Sequence, residues 1–366
     1  MKILSVMGTR PNFMKLAPLH RAMSHYPDIQ SILVHTGQHY DRQMSEVFFE
    51  QLSLPKPDYF LGVNGGSHTK QTASIMLALE EVVQKEKPDL ILVVGDVNST
   101  LAGALVAVKS GIRLAHVEAG LRSGDRAMPE EQNRILTDSV SDYLFVTEKA
   151  ALVNLEKEGI PKEKVFFTGN CMIDSLVYFI KKAEQLDILK SLGLSPKNYV
   201  LMTMHRPSNV DNREGLEKIL SMVELISDKL RVVFPLHPRT RSKLQEVGLL
   251  EKLSGLKQVI LLEPQGYLEF QNLVMNASAV LTDSGGIQEE STYLNVPCLT
   301  FRENTERPVT IESGSNELIP DLNPELACQK IVAILQGKWK NSKIPELWDG
   351  KAADRIVAIL HKKLSQ

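Results

Sequence analysis

Leu90-Ile91-Leu92-Val93-Val94-Gly95-Asp96 opens the stretch whose reading decides the fold. Five apolar residues in a row, closed by Gly95, are too short for a core helix and read as a strand buried on both faces. A helical pattern follows over 100–109, and Leu114-Ala115-His116-Val117-Glu118 then repeats the short apolar run. Strand, helix, strand at this spacing is a βαβ unit, which demands a parallel sheet covered by helices.

Outward from this unit the alternation continues. Strands are expected at 2–6, 32–35 and 143–146, and helices at 14–23, 69–85, 130–139 and 150–158. Within 72–83 the apolar residues Ile75, Leu79, Val82 and Val83 share one helical stripe. The pattern then restarts, with strands at 199–204, 232–235, 259–262, 279–282 and 298–301. Helices at 216–226, 240–246, 268–276, 286–293 and 324–335 separate them. The stretch 181–198, with its charges, Gly193 and Pro196, is the expected linker, and 352–364 is a final amphipathic helix. The expected fold is therefore α/β: two doubly wound, Rossmann-like parallel-sheet domains. The first covers 1–180, joined by the C-terminal helix of 351–366, and the second covers 181–350. Open sheets of this kind bind ligands beyond the carboxyl ends of their strands, so an interdomain cleft is the expected site.

A chain of 366 residues suits two domains. Its 43% hydrophobic and 23% charged residues are ordinary for a folded protein and exclude a disordered or fibrous one. Lys plus Arg number 42 and Asp plus Glu 44, a net charge of −2, which gives no general field for nucleic acid or an anionic membrane. Cys171, Cys298 and Cys328 are scattered without a CxxC pair, which fits a reducing compartment and argues against a disulfide framework or a zinc site. No apolar run approaches the roughly 20 residues of a membrane span. Met1-Lys2-Ile3-Leu4-Ser5-Val6 is too short before Gly8 for a signal peptide, so a soluble, cytoplasmic protein is expected.

The residues fit for chemistry gather at strand ends. Gly8-Thr9-Arg10-Pro11-Asn12-Phe13-Met14-Lys15 is a strand-to-helix turn with two cations, suited to an anion, although a solvated Arg10 would look the same. Neither GxGxxG nor GxxxxGK[ST] occurs, so dinucleotide and P-loop readings lose their support. Asp96 follows one strand, and His116 and Glu118 lie on one face at the end of the next. A lone His116 is more often structural than catalytic. Glu130 and Glu131 follow Pro129, where helix-start preferences alone would explain them. Their company argues for more, because Asp96, Glu118 and Glu130 fall at one sheet edge, where crowded carboxylates become usable proton donors or acceptors.

In the second half, Asp283-Ser284-Gly285-Gly286-Ile287-Gln288-Glu289-Glu290 follows a strand and offers free backbone N–H groups to a phosphate. Met204-His205-Arg206-Pro207, Pro235-Leu236-His237-Pro238-Arg239 and Arg302-Glu303-Asn304-Thr305-Glu306-Arg307-Pro308 add His and Arg at further strand ends. A diphosphate carrying a reacting sugar would suit an acidic edge in one half and a basic edge in the other.

These motifs together, from Gly8-Thr9-Arg10-Pro11 through His116-Val117-Glu118-Ala119-Gly120-Leu121-Arg122 and Pro129-Glu130-Glu131 to Thr282–Glu290 and Thr305-Glu306-Arg307-Pro308, resemble the non-hydrolysing UDP-N-acetylglucosamine 2-epimerases of bacteria and archaea. The resemblance spans nearly the whole chain and implies the type B glycosyltransferase fold, with UDP held chiefly by the C-terminal domain. It implies catalytic roles for Arg10, Lys15, Asp96, Glu118, Glu130 and His205. For nucleotide binding it implies Gln265, Phe270 near uracil, Ser284, Gly285, Gly286, Glu290 on the ribose hydroxyls, and Arg307 on the diphosphate. The implied reaction interconverts UDP-N-acetylglucosamine and UDP-N-acetylmannosamine by loss and readdition of UDP through a bound glycal. It implies no cofactor and no metal, a UDP-sugar as partner, no nucleic acid or membrane, and a homodimer. Some relatives bind a second UDP-sugar as activator, for which His39, Gln43 and Gln71 are the candidates. An epimerase of a related UDP-sugar, a hydrolysing 2-epimerase and a glycosyltransferase of the same fold are the alternatives. The chain departs from the family after His205-Arg206, where Pro207-Ser208-Asn209-Val210-Asp211 replaces the usual Glu or Arg-Glu-Asn.

Overall fold

The computed structural model describes residues 1–38, 52 and 54–365. The chain divides into two compact units, Met1–Tyr178 with Glu346–Gln366, and Phe179–Pro345. The first runs β1 (Lys2–Met7), α1 (Arg10–Met23), β2 (Gln30–His35), β3 (Tyr59–Phe60), α2 (His68–Glu86), β4 (Leu90–Val94), α3 (Asn98–Lys109), β5 (Arg113–Val117), α4 (Pro129–Val140), β6 (Tyr143–Val146), α5 (Lys149–Lys157), β7 (Val165–Phe167) and the part of α6 (Cys171–Glu184) up to Tyr178. The second runs α7 (Ile188–Ser191), β8 (Tyr199–Thr203), α8 (Pro207–Val210), α9 (Arg213–Ser227), β9 (Arg231–Pro235), α10 (Pro238–Glu246), α11 (Leu250–Ser254), β10 (Val259–Leu262), α12 (Tyr267–Asn276), β11 (Ala279–Thr282), α13 (Gly285–Tyr293), β12 (Cys298–Thr300), α14 (Val309–Glu312), β13 (Asn316–Leu318) and α15 (Pro324–Leu335). The last helix, α16 (Ala352–Leu364), belongs to the first unit.

The sheet orders are β3-β2-β1-β4-β5-β6-β7 and β10-β9-β8-β11-β12-β13, and each pairing is parallel. In each sheet the chain winds outward from the first strand, then returns to its other side. The order therefore reverses between β1 and β4 and again between β8 and β11. Crossovers on either side of such a point leave the strand ends between them uncovered.

Burial explains why these runs are strands. Leu4, Val6, Ile91, Val93 and Leu114 pack under Leu79, Val82 and Val83 of α2 and Ala104 and Ala107 of α3. In the second unit the two-residue period of a strand separates two cores. Val200 and Met202 face Leu216, Ile219 and Val223 of α9, whereas Tyr199 and Leu201 face Leu273 and Val274 of α12.

Three sequence readings are corrected. Helix α1 begins at Arg10 rather than 14, because Pro11 lies in its first turn, where its fixed φ suits a helix start. The stretch 181–198 is not a simple linker. Helix α6 runs to Glu184, carried past Tyr178 by the buried Ile173, Leu176, Phe179 and Ala183 at helical spacing, and a further helical turn covers Ile188–Ser191. Edge strands β3, β7 and β13 escaped prediction because they are only two or three residues long and largely half-buried, so no clean apolar run marks them. No helix among the described residues is long and apolar enough to cross a membrane.

The C-terminal segment is fastened to the first unit by two buried polar contacts. The Trp348 indole N–H donates to the Thr147 carbonyl at 2.9 Å. The Asp174 carboxylate accepts the Ala352 and Ala353 N–H groups at 3.1 and 2.7 Å, capping α16. Asp174→Ala should lower stability by about 1–2 kcal/mol, the value of a lost helix cap. Urea unfolding checks this, and an unchanged midpoint would show that packing alone holds α16.

Candidate active site

The two points of strand reversal are where the polar residues collect. In the first unit, the loop after β1 is organised by Asn12. Its side-chain oxygen accepts the N–H groups of Gly8 and Thr9, each at 3.0 Å, and its Nδ2 donates to the Val94 carbonyl at 3.1 Å. The loops beyond β1 and β4 are thus joined by one buried amide. One turn further along α1, the buried Lys15 ammonium ion-pairs with the buried Glu118 carboxylate. Arg10 is half-buried at the start of the same helix.

Glu118 stands just past β5 with φ +76°, a left-handed backbone that costs a non-glycine residue on the order of 1–3 kcal/mol. Gly95, just past β4, also has positive φ (+68°). A Cβ there would lie 3.0 Å from Lys15 Nζ and 3.4 Å from Glu118 Oε2. Only glycine lets the β4 loop pass beneath that ion pair.

Asp96 accepts from Arg134 Nη2 at 2.7 Å and Nε at 3.1 Å, both on Oδ2, so the guanidinium anchors one carboxylate oxygen. Arg134 Nη1 also reaches Glu131 at 2.5 Å, and Glu131 accepts the N–H groups of Ser123 and Gly124 at 3.0 and 2.9 Å. Burial alone would raise Glu131. These N–H groups and Arg134 outweigh it and hold the carboxyl below its usual value. Glu131 is therefore a loop clamp, while Glu130 is half-buried in the first turn of α4. His116 is fully buried, with Nδ1 2.6 Å from Asp138 Oδ1 and Nε2 2.8 Å from the Gly95 carbonyl. With both ring nitrogens engaged, it is structural, in line with the prior weight of a lone buried histidine.

In the second unit, β8 and β11 end side by side, and Asp283 bridges them. It accepts the His205 and Arg206 N–H groups at 3.0 and 2.8 Å and lies 2.9 Å from His205 Nδ1. Asn209, in the segment that departs from the family motif, donates to the same carboxylate at 3.1 Å. Burial would raise Asp283, but His205 and the backbone N–H groups hold it below its ordinary value. His205 itself keeps 40% of its side chain exposed, so its ring is accessible while its orientation is fixed. The His237 ring lies 5.4 Å from it, centroid to centroid.

Ser284, Gly285 and Gly286 form the start of α13 and are half-buried. Gly285 lacks a positive φ; what requires glycine is Arg307, whose Nη1 would lie 2.9 Å from an added Cβ. Arg307 is buried and ion-pairs with Glu306 and Glu289, and Glu306 also holds Arg302 at 2.7 Å. Gln265 is half-buried and donates to the Glu263 carbonyl at 2.7 Å. Phe270 packs partly against the α12 core, so its ring is at least in part a core aromatic. Glu290 is buried beneath Tyr267 and Gln271, and its removal from water, with Glu289 nearby, pushes its carboxyl up to about 7.

The structure thus groups Lys15, Glu118 and Asp96 in one unit and His205, Ser284–Gly286, Glu290 and Arg307 in the other. Asn12, Arg134, Asp138, Asp283 and Glu306 were missed by sequence reasoning. A signal existed for two of them: Glu131, Arg134 and Asp138 recur at helical spacing on the buried stripe of α4. Of the residues considered for an activator site, His39 and Gln43 lie outside the described residues, and Gln71 accepts from Asn98 Nδ2 at 2.7 Å.

A family model described as UDP-N-acetylglucosamine 2-epimerase matches residues 21–361. The UDP-N-acetylglucosamine 2-epimerase of Methanocaldococcus jannaschii is 46% identical over 98% of this chain and 99% of its own. The UDP-2,3-diacetamido-2,3-dideoxy-D-glucuronate 2-epimerase of Pseudomonas aeruginosa is 43% identical over 87% of this chain and 88% of its own. A crystal structure of the M. jannaschii enzyme in complex with UDP-GlcNAc and UDP superposes with a TM-score of 0.90 at 45% identity, covering 99% of this chain and 100% of that one. The fold is that of the type B glycosyltransferases, two parallel-sheet α/β units.

The raised Glu290 carboxyl makes a prediction about pH. The folded state holds this proton more tightly than the unfolded chain does, so stability is highest below the ordinary value of 4.5 and falls as pH rises towards about 7. The loss should be on the order of 3 kcal/mol across that window. Glu290→Gln should flatten the fall in denaturant midpoint between these pH values. An equally steep profile in the variant would assign the dependence to other groups.

Proposed function

We propose, for a chain that belongs to the UDP-N-acetylglucosamine 2-epimerase family, that its reaction interconverts UDP-N-acetylglucosamine and UDP-N-acetylmannosamine. The observation that carries this reading is the Lys15–Glu118 ion pair, buried at the strand reversal and flanked by Asp96 on its arginine clamp. A carboxylate held there by a cation, on strained backbone, is placed for proton transfer rather than for stability.

In the proposed reaction a base takes the proton from carbon 2 of the sugar. The electron pair of that C–H bond forms the C1=C2 double bond, and the C1–O bond breaks with its pair leaving on UDP. Readdition of UDP to carbon 1, with a proton delivered to the opposite face of carbon 2, gives the epimer. No carbonyl adjoins carbon 2, so the proton is weakly acidic and stabilising the departing diphosphate supplies much of the catalysis. Lys15, Asp96, Glu118, Glu130 and His205 are assigned to the sugar and the breaking bonds, and Arg10 to the departing diphosphate. Ser284, Gly285, Gly286 and Arg307 are assigned to the diphosphate, Glu290 to the ribose, and Gln265 and Phe270 to the uracil. UDP is thus assigned to the 181–350 domain and proton transfer to the 1–180 domain. The cytoplasm is the proposed location.

A second substrate is favoured by one comparison. The P. aeruginosa relative acts on a diacetamido uronic acid, so a UDP-sugar with a different group at carbon 3 or carbon 5 is the alternative. Offering both sugars separates the two readings.

The partner is proposed to be a second copy of the chain, seated on the face where α3 packs between α2 and α4. Leu77, Leu136 and Val108 are 68%, 50% and 43% exposed there, an apolar surface that solvent does not favour. Sedimentation should give a dimer for the native chain and a monomer for Leu77→Glu. A dimer in both would move the interface elsewhere.

Product formed in deuterated water should carry deuterium at carbon 2, and product without it would sink the elimination. Glu118→Gln should cut turnover by at least about a hundredfold, the usual range for a lost acid–base group, with UDP affinity little changed. Retention of more than about a tenth of turnover would leave Glu118 with a structural role only.

A further inference from the structure

We propose that Asp138 is a positioning residue, which sets the loop bearing Asp96 and the turn bearing Glu118 at a fixed separation; this rests on the epimerase reading above. Regular pairing between β4 and β5 ends at Val94 and Val117. Beyond it Gly95, Glu118 and Gly120 all take positive φ, at +68°, +76° and +78°, and the ladder closes on the Gly95 N–H donating to the Val117 carbonyl at 3.0 Å. A buried carboxylate adds a side-chain tie on each side of that bond. Asp138 Oδ2 accepts the Gly120 N–H at 3.0 Å, two residues after Glu118. Its Oδ1 holds His116 Nδ1 at 2.6 Å, and the other nitrogen of that ring meets the Gly95 carbonyl at 2.8 Å, one residue before Asp96.

Both attachments end on backbone, so they fix chain position rather than a side-chain rotamer. Asp138 and His116 are both 0% exposed, and Arg122 Nη2 adds a 2.7 Å ion pair to Asp138. Burial pushes the Asp138 carboxyl up, but His116 and Arg122 beside it carry it below its ordinary value, which keeps it a full acceptor. Stability does not demand this arrangement, since buried ion pairs are often replaceable by apolar residues at no loss. Fixing two loops does demand it. A displacement of about 1 Å in a reacting group can cost about a hundredfold in rate.

The substitutions Asp138→Ala, Asp138→Asn and His116→Phe test the proposal. The asparagine oxygen can take the Gly120 N–H while its amide donates to His116 Nδ1, leaving the other ring N–H on Gly95, so both ties survive. Asp138→Ala should lower kcat at least about thirtyfold with KM and calorimetric UDP affinity within about threefold, and Asp138→Asn should recover kcat to within about fivefold of native. A folded alanine variant with native kcat, a loss seen in KM alone, or an asparagine variant as impaired as alanine would each overturn the proposal. Should the alanine variant not fold, His116→Phe decides, because it severs only the Gly95 tie. Its kcat should fall about tenfold with UDP affinity unchanged, and native kcat would overturn the proposal. If the native protein exchanges no carbon 2 proton, the epimerase reading fails separately. A crystal structure of His116→Phe then decides: a moved Gly95 supports the positioning role, and an unmoved one removes it.

Discussion

The reversal of strand order is the constraint on which the rest depends. Parallel strands need crossover helices, and crossovers keep one hand, so winding first to one side of the opening strand and then to the other parts the helices above one pair of strands. In this chain the pairs are β1 with β4 and β8 with β11. Backbone groups at those four strand ends lose their covering, and side chains must satisfy them. Asn12 does so between β1 and β4, and Asp283 between β8 and β11. The two units solve the same problem with one buried polar side chain each. What stands around that side chain then differs: a lysine–glutamate pair in the first unit, a histidine and a glycine turn in the second.

The first unit accepts charge where a core helix would carry leucine. Glu131, Arg134 and Asp138 occupy the inward stripe of α4, and each meets partners of opposite charge or backbone N–H groups. A half-satisfied buried network is worse than an apolar core, so such a stripe survives only when nearly every atom is used. The use made of it is positional. Arg134 orients Asp96, Glu131 closes the 123–124 turn, and Asp138 holds the Gly120 N–H beyond Glu118 and, through His116, the Gly95 carbonyl before Asp96. The left-handed backbone at Glu118 is held in place by this surround, including two N–H groups of residues 118 and 119 on the single Phe145 carbonyl at 3.0 Å each.

Much of this was legible in the sequence and some was not, for physical reasons. Central strands such as Leu90–Val94, Tyr143–Val146 and Ala279–Thr282 are buried on both faces, so composition alone delimits them. Edge strands β3, β7 and β13, two or three residues long, have little to bury and left no pattern, whereas the four-residue edge strand β10 was expected. The stretch 181–198 was less legible, because a charge-rich run looked like a linker, whereas the apolar stripe of α6 continues into it as far as Ala183. At the sites, single residues at strand ends were visible because strand ends were. Their holders were not, since a contact such as Arg134 to Asp96 joins residues 38 apart, and no local spacing encodes it. Gly285 shows a subtler limit. Its turn reads as a phosphate cradle, yet the side chain that forbids a Cβ is Arg307, 22 positions on in the sequence.

Arg307 also changes how an anion would be held in the second unit. Arg302 and Arg307 are matched by Glu306 and Glu289, so this buried group of four carries no net charge. Two unpaired guanidinium groups under the surface would be costly, and the carboxylates remove that cost while fixing the arginines. The consequence is that attraction for a diphosphate cannot come from the net charge of this group. The oriented N–H groups at the start of α13 contribute beside the Arg307 guanidinium, as dipoles already in place that need no rearrangement as charge arrives. Under the proposed reaction that is the useful arrangement. A strongly positive pocket would bind UDP tightly at every stage, whereas fixed dipoles favour the moment when charge develops on the leaving oxygen.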